Sequence, residues 1–266
     1  MTFGMPTLIE NSTIEQNIAL CRELGLSFIE LNMNFPEYQL PFLEDVRRIN
    51  ALKQKHGLFF TIHLDENMNV ADFNPLVRAA YLETVRRAIR AAKLIGAPVL
   101  NMHMHHGIYI TLPDRKVQMY DRDFDTYLSC IQDFIRLCEE EIGNSPVRIC
   151  VENTDGWKNY EHAAIEEMLK SPVFRLTWDI GHSKATGEKD MPFLTQHEDR
   201  LHHFHIHDST EEPPKNHLAL GDGAIDLKAR LALAEKLNCR CVLETKTVAA
   251  LRSSVLWLKS NVPQML

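Results

Sequence analysis

Short apolar runs alternate with longer amphipathic stretches along the whole chain. A period of two marks half-buried strands, and a period near 3.6 marks helices packed on one face. Strand patterns occur at PTLIE (6–10), SFIELN (27–32), LFFTIH (58–63), PVLNMH (98–103), VRICVE (147–152), FRLTWD (174–179), LHHFHI (201–206) and CRCVLE (239–244). Helical patterns follow over 13–24, 41–56, 75–94, 123–142, 162–170, 193–199, 227–237 and 248–259. These make eight consecutive β-α units, with no linker or low-complexity tract between them.

Eight such units in 266 residues match a (β/α)8 barrel. An open doubly wound sheet would carry fewer strands and a glycine-rich phosphate turn after the first, and no such turn is present. The expectation is an α/β fold, a single (β/α)8 TIM barrel, with residues 1–266 as one domain. The longer connections, 65–74, 105–122 and 207–226, all follow strands. In a barrel those loops build the catalytic face.

Side chains on a strand point alternately to opposite faces, so each strand's final residue can be assigned from its apolar set. Phe60 and Ile62 suit the outer layer, which leaves Thr61 and His63 inside. By the same parity Asn101, His103, Glu152, Asp179, His203, His205, Val242 and Glu244 face the interior. Six strands thus end by aiming a His, Asp or Glu into one mouth. One such residue alone is usually a cap or a solvated loop group. Six together would repel and lose hydration at a cost of several kcal/mol, so a cation is the natural compensator. Nitrogen and oxygen donors without thiolate suit Zn, Mn, Mg or Co.

Charge and composition narrow the partners. Formal net charge is -7, so no global basic field draws the chain to nucleic acid or an anionic membrane. No apolar run approaches the ~20 residues that cross a bilayer. The six cysteines form no C-x-x-C pair and the N-terminus lacks a signal-peptide pattern, so reduced thiols in a cytoplasm are expected. The thirteen histidines concentrate in HMHH (103–106) and HHFHIH (202–207), beside the strand ends just described.

The motifs VENT (151–154), WDIGH (178–182), FHIHD (204–208) and LETK (243–246) resemble the xylose isomerase-like barrel superfamily, and the match runs from His63 to Glu244. That superfamily holds sugar and sugar-phosphate isomerases and epimerases, together with endonuclease IV-type apurinic/apyrimidinic endonucleases. In its epimerase branch the resemblance implies one divalent metal held by Glu152, Asp179, His205 and Glu244. It gives His182 to substrate binding and sets His63 and His103 at the rim of the site. A second ion near His63 and His103 is compatible with the pattern.

The endonuclease pattern uses three zinc ions, and the third would need His182 and His217 with an aspartate two positions before the latter. This chain has Lys215 there, an ammonium group in place of an anionic ligand. The mouth loops also lack an evident run of Arg, Lys and aromatics to hold a duplex. Ketose 3-epimerases commonly carry an arginine six residues after the metal-binding histidine, where this chain has Glu211. His217, followed by LALGDG (218–223), either takes over a contact to a substrate hydroxyl or phosphate or is a solvated loop histidine.

The reading that follows is a divalent-metal-dependent sugar or sugar-phosphate isomerase/epimerase working through a metal-stabilised enediolate. Glu152 and Glu244, ending strands five and eight, fit its acid/base pair. The alternatives are the apurinic/apyrimidinic endonuclease, a non-catalytic carbohydrate-binding barrel and a related lyase. The expected partner is a small-molecule carbohydrate, with no nucleic acid and no membrane; a homo-oligomer is compatible. Glu30 and Asn32 read as hydrogen-bonded loop residues or substrate-hydroxyl contacts, and Trp157 as packing on a helix or a wall over a sugar. His105, His106, His203 and His207 could extend the metal site or support it from behind. RRAIRAAK (86–93) and Glu139 to Glu141 read as solvated helix surface.

Overall fold

In the computed structural model, which describes residues 1–265, eight parallel strands close into a barrel. In chain order they are Thr2–Pro6, Phe28–Asn32, Phe59–His63, Val99–His103, Arg148–Glu152, Phe174–Asp179, Leu201–Ile206 and Arg240–Leu243. Each pairs with its sequence neighbours, and strand one closes the ring by pairing with strand eight at Thr2↔Arg240 and with strand two at Gly4↔Phe28. The expected α/β barrel is the fold observed.

Local chemistry explains most of the helices around it. Thr13 and Gln16 form a reciprocal capping box at the start of Ile14–Leu24, and Gly25 ends that helix at φ 76°, a conformation glycine adopts without a Cβ penalty. Asn74, Asp226 and Thr247 cap the helices Pro75–Ile95, Leu227–Lys236 and Val248–Asn261 through side-chain oxygens. The arginine-rich surface of Pro75–Ile95 is paired as well as solvated: Arg86 and Arg90 both reach Glu141 on Phe124–Ile142, at 3.1 and 2.8 Å. Such exposed pairs contribute little each, and the buried apolar faces hold the layer.

Several expected boundaries are corrected. Strand one is Thr2–Pro6, not 6–10: a Cβ on Gly4 would sit 2.6 Å from the Phe28 ring, so the glycine is what lets the two strands meet. Leu8 has already left the ladder, its N–H donated to Asn17 Oδ1 at 3.1 Å. The helix expected over 41–56 is two, Leu40–Leu43 and Val46–His56, because Asp45 caps the second through Arg48 N–H. The helix expected over 193–199 is Met191–Gln196, with a separate 3-10 turn at Glu198–Arg200. Ile180–Ala185 is helical although IGHSKA carries no apolar stripe; the Asp179 carboxylate caps it. Two of the mouth loops are hairpins, Tyr109–Thr111 with Lys116–Gln118 and Asp208–Thr210 with Lys215–Leu218.

The first hairpin is tied down by His106. Its Nδ1 lies 2.6 Å from Glu161 Oε1, its Nε2 lies 2.6 Å from Asp155 Oδ1, and its carbonyl accepts from Tyr160 Oη at 2.9 Å. The Asp155 and Glu161 carboxylates raise His106 to about 9, against the pull of burial. A folded value above the ~6.5 of a free imidazole contributes stability that is complete below pH ~6.5 and is lost as pH rises through about 9. Hydrogen exchange and limited proteolysis should therefore show segment 105–122 opening between pH 8 and 10, roughly across that titration. His106→Asn should show the same opening already at pH 7, and an opening rate flat across that range in the unaltered protein would refute the clamp.

Candidate metal centre

Ligand atoms of Glu152, Asp179, His205 and Glu244 all lie within 4.8 Å of one another at the C-terminal mouth of the barrel. His205 Nδ1 is 3.1 Å from Glu152 Oε1, 3.2 Å from Glu244 Oε2 and 3.9 Å from Asp179 Oδ2. The donors come from strands five, six and seven and from the residue just past strand eight, so closure of the barrel is what makes them converge. His63, His103 and Glu152 form an adjoining group, with Glu152 Oε2 3.1 Å from His103 Nε2 and 3.5 Å from His63 Nε2. Glu152 thus turns one oxygen to each group.

The local sequence motifs hold these side chains in place. Asn153 of VENT bridges two strand ends: its amide donates to the Asp179 carbonyl at 3.0 Å and its Oδ1 accepts from Asp179 N–H at 2.8 Å. In WDIGH, Trp178 Nε1 donates to Ser183 Oγ at 2.9 Å and His182 N–H to Asp179 Oδ1 at 2.6 Å. Asn101 donates to Glu152 Oε2 while accepting from Thr177 at 2.5 Å. The carboxylates are therefore oriented from behind, and their free oxygens face the cluster.

Electrostatics dominate this region. Burial opposes ionisation of Glu152, yet His205, His103 and His182 hold it well below the usual carboxylate range. Burial likewise opposes Glu244, and Lys246 and His205 hold it well below. His205 is lifted well above a free imidazole, against burial, by Glu152, Glu244 and Glu30. His182 is lifted to about 10, again against burial, mainly by Asp179 and Glu152. Protonated imidazoles thus balance the acidic groups. A divalent cation fits the same charge and the same donors, and Glu244 Oε2 and His103 Nε2 are buried without a hydrogen-bond partner, as ligand atoms would be.

The structure also sorts the remaining histidines. His182 and His217 stand at the rim with side chains 15% and 22% exposed, beside His103 at 16%, whereas His205 and His207 are fully buried. His182, His207 and His217 form a third group of ligand-type atoms. Within it His207 is already engaged, since its Nδ1 accepts from His217 N–H at 3.0 Å and its Nε2 lies 3.0 Å from Asp179 Oδ1. His207 therefore positions Asp179. A Cβ on Gly181 would lie 1.8 Å from the His207 ring, which explains the glycine of WDIGH. His203 lies below the cluster, and His105 accepts from Gly107 N–H in the loop at 3.0 Å.

Asp208 of FHIHD is a loop hub, accepting N–H groups of Ser209, Gly221 and Ile225 at 2.9, 3.0 and 3.2 Å. It thereby folds LALGDG and holds His217, whose φ of 55° is unusual for a side chain with a Cβ, over the mouth. Lys246 of LETK was missed by sequence reasoning; its Nζ sits 2.8 Å from Glu244 Oε1. It also lines a cleft of about 340 Å³ shared with Thr7, Ile9, Asn32, Asn34 and Phe35. Asn32 faces that cleft, whereas Glu30 is 2% exposed inside the barrel. Trp157 is 6% exposed and packs edge-on against Phe193, which favours the packing role.

The sequence profile of the family described as Xylose isomerase-like TIM barrel matches residues 18–261. No curated protein matches the sequence. Among solved structures, a D-tagatose 3-epimerase-like protein superposes with a TM-score of 0.77 at 20% identity, covering 100% of this chain and 98% of that one. The 3-keto-D-glucoside 4-epimerase of E. coli gives 0.77 at 17% identity, covering 98% of this chain and 99% of that one. A Thermus thermophilus protein soaked with zinc chloride gives 0.68 at 19% identity, covering 99% of each chain. At these identities the likeness is one of fold.

Two measurements test the site. Equilibrium dialysis with Mn, Co or Zn should find one tight equivalent per chain, lost in Asp179→Ala and retained in His217→Ala; retention of full-affinity metal by Asp179→Ala would exclude the four-residue group. Gly181→Ala forces His207 off Asp179 and should cost about 1–3 kcal/mol in chemical denaturation, together with weaker metal binding. Wild-type stability and metal affinity in that variant would show that the ring has room to move.

Proposed function

The chain belongs to the xylose isomerase-like TIM barrel family, and we propose that it is a divalent-metal-dependent sugar or sugar-phosphate isomerase or epimerase, with residues 1–266 forming one catalytic domain. The observation that carries this reading is the pairing of Glu152 and Glu244. They come from opposite parts of the barrel, yet each places one carboxylate oxygen about 3 Å from the same His205 nitrogen.

Isomerisation or epimerisation next to a carbonyl needs one group to take a carbon-bound proton and another to give one back. A divalent cation held by Glu152, Asp179, His205 and Glu244 would supply charge stabilisation to the carbonyl oxygen as negative charge develops. The chain's own residues do the rest. Lys246 keeps Glu244 ionised, while Asn101 and His103 restrain the far oxygen of Glu152. A sugar bound between the two carboxylates can give up its proton to one and regain it from the other, which epimerises the carbon if the two act on opposite faces. His182 and His217 offer hydrogen bonds to hydroxyl groups, and the cleft beside Lys246 offers amide groups of Asn32 and Asn34 with the apolar side chains of Ile9 and Phe35 to the rest of the sugar.

The nuclease reading is the lesser one. Lys215 is exposed in the second hairpin, two residues before His217, and His207 fills the place beside His182 and His217 with a ring whose nitrogens are both engaged. The six cysteines are buried and unpaired, which supports a reducing cytoplasm. No helix among the described residues is long and apolar enough to cross a membrane.

A panel of ketoses and ketose phosphates in deuterated solvent, with Mn, Mg, Co or Zn, should show metal-dependent exchange of a carbon-bound proton, and an abasic duplex should stay intact. Efficient metal-dependent incision without exchange on any sugar would reverse the assignment. Glu152→Gln and Glu244→Gln should each lower the exchange rate by roughly 10²–10⁴-fold with unchanged circular dichroism, because an amide is nearly isosteric but cannot take the proton. Metal content must be assayed beside the rate; near-normal exchange in a metal-loaded variant removes that residue from the pair.

A further inference from the structure

The opposite end of the barrel carries the reverse charge. Each strand that delivers an acid to the mouth has an arginine four residues earlier: RICVE (148–152), RLTWD (175–179) and RCVLE (240–244). Side chains four apart on a strand share a face, so Arg148, Arg175 and Arg240 belong to the N-terminal end of the barrel, ~13 Å from the acids along the strands. On strand seven that position belongs to Leu201, and Arg200 stands one residue before it. Strands five to eight are consecutive neighbours in the ring, so four half-buried arginines meet on one side of the barrel's base.

These guanidinium groups are oriented but not neutralised. Arg175 Nη1 and Arg200 Nη2 donate to the same carbonyl, that of Phe174, at 2.7 and 3.1 Å. Arg148 Nη1 donates to the Val147 carbonyl at 2.8 Å, and Arg240 Nη1 to His202 Nε2 at 3.2 Å. Each group thus uses one terminal nitrogen and keeps further N–H donors, and Arg200 Nε is buried with no hydrogen-bond partner. Among the described residues no carboxylate lies within ion-pair distance of the four; Asp199, beside Arg200, is exposed and pairs with none of them. Burial, with Arg200 and Arg148 beside it, depresses Arg175 below the usual arginine range, and burial with the same guanidiniums pulls His202 down to about 4. The chain has 36 acidic residues, yet the base takes none as a partner, and unpaired cations this close are costly unless an anion joins them. We propose that the base of the barrel is a binding site for a phosphoryl group, free or as a phosphate ester, held by Arg148, Arg175, Arg200 and Arg240. A carboxylate ligand has two oxygens and one charge, whereas a phosphoryl group brings up to two charges and three or more acceptors for planar guanidinium forks. Neutral His202 steadies Arg240 without adding to the repulsion. The site is separate from the metal centre and does not depend on it.

Calorimetric titration with inorganic phosphate, at an ionic strength fixed with sodium chloride and with divalent ions chelated, should show saturable binding. Arg175→Gln and Arg200→Gln, which keep an N–H donor for the Phe174 carbonyl, should each weaken it by about 10-fold or more, the effect of losing a charge-assisted hydrogen bond. Asp179→Ala should bind phosphate as the unaltered protein does, which separates this site from the mouth. In the unaltered protein the 1H–15N signal of Arg200 Nε should move with the same half-saturation, and this reading decides the matter even where a variant fails to fold. Glucose 6-phosphate and ADP, titrated in parallel, identify the source: tighter binding of an ester assigns the site to esters, tighter binding of inorganic phosphate assigns it to the free ion, and each supports the proposal. No saturable binding of any of the three, undiminished affinity in both glutamine variants, or an Arg200 Nε signal that stays fixed overturns it. Loss of phosphate binding in Asp179→Ala also overturns it, because the anion would then sit at the mouth.

Discussion

Three carboxylates, Glu152, Asp179 and Glu244, are buried within ligand distance of one another at the barrel mouth, 0%, 0% and 6% exposed. Ionised carboxylates out of water and this close are unstable unless positive charge compensates them. His205, His182 and Lys246 supply that charge from within the chain, and a divalent cation would supply it more compactly. The surrounding architecture answers to this balance: Asn101 and Asn153 orient the acids, and His207 steadies Asp179.

A closed parallel barrel suits such a centre because every strand delivers its last residue to the same face. The register sets an acid beside an imidazole at the mouth, Asp179 opposite His205. One layer lower, Glu30 pairs with Thr61 and Thr177 with His203, which gives the mouth a hydrogen-bonded floor instead of an apolar one. A polar floor is expensive unless complete, and here nearly every member has a partner.

The loops are built to hold the rim still. Asp208 gathers the backbone N–H groups of Ser209, Gly221 and Ile225, and a Cβ on Gly223 would lie 2.3 Å from its carboxylate, so that glycine is fixed by the hub. His106 does the same for the loop after strand four through Asp155 and Glu161. Both loops carry groups beside the mouth, and because each pairs only within its own short hairpin, polar side-chain contacts secure it to the barrel.

The sequence by itself determined the eight β-α units, the barrel and the inward parity of the six strand-end residues, because side-chain alternation is a local property of each strand. It also marked Glu152, Asp179, His205 and Glu244 as the acidic and imidazole set. It misplaced strand one at 6–10, since the fit of the Phe28 ring against Gly4 that belongs to Thr2–Pro6 is a contact between strands. It could not show that Glu30 sits under His205, that Lys246 touches Glu244, or that His207 supports Asp179 instead of adding a ligand. Those pairings depend on which strands lie next to and across from each other, and barrel closure alone brings Glu30 to a histidine 175 residues away. Hydrophobic periodicity records which way a side chain points, while the identity of the group it meets is decided only when the ring is shut.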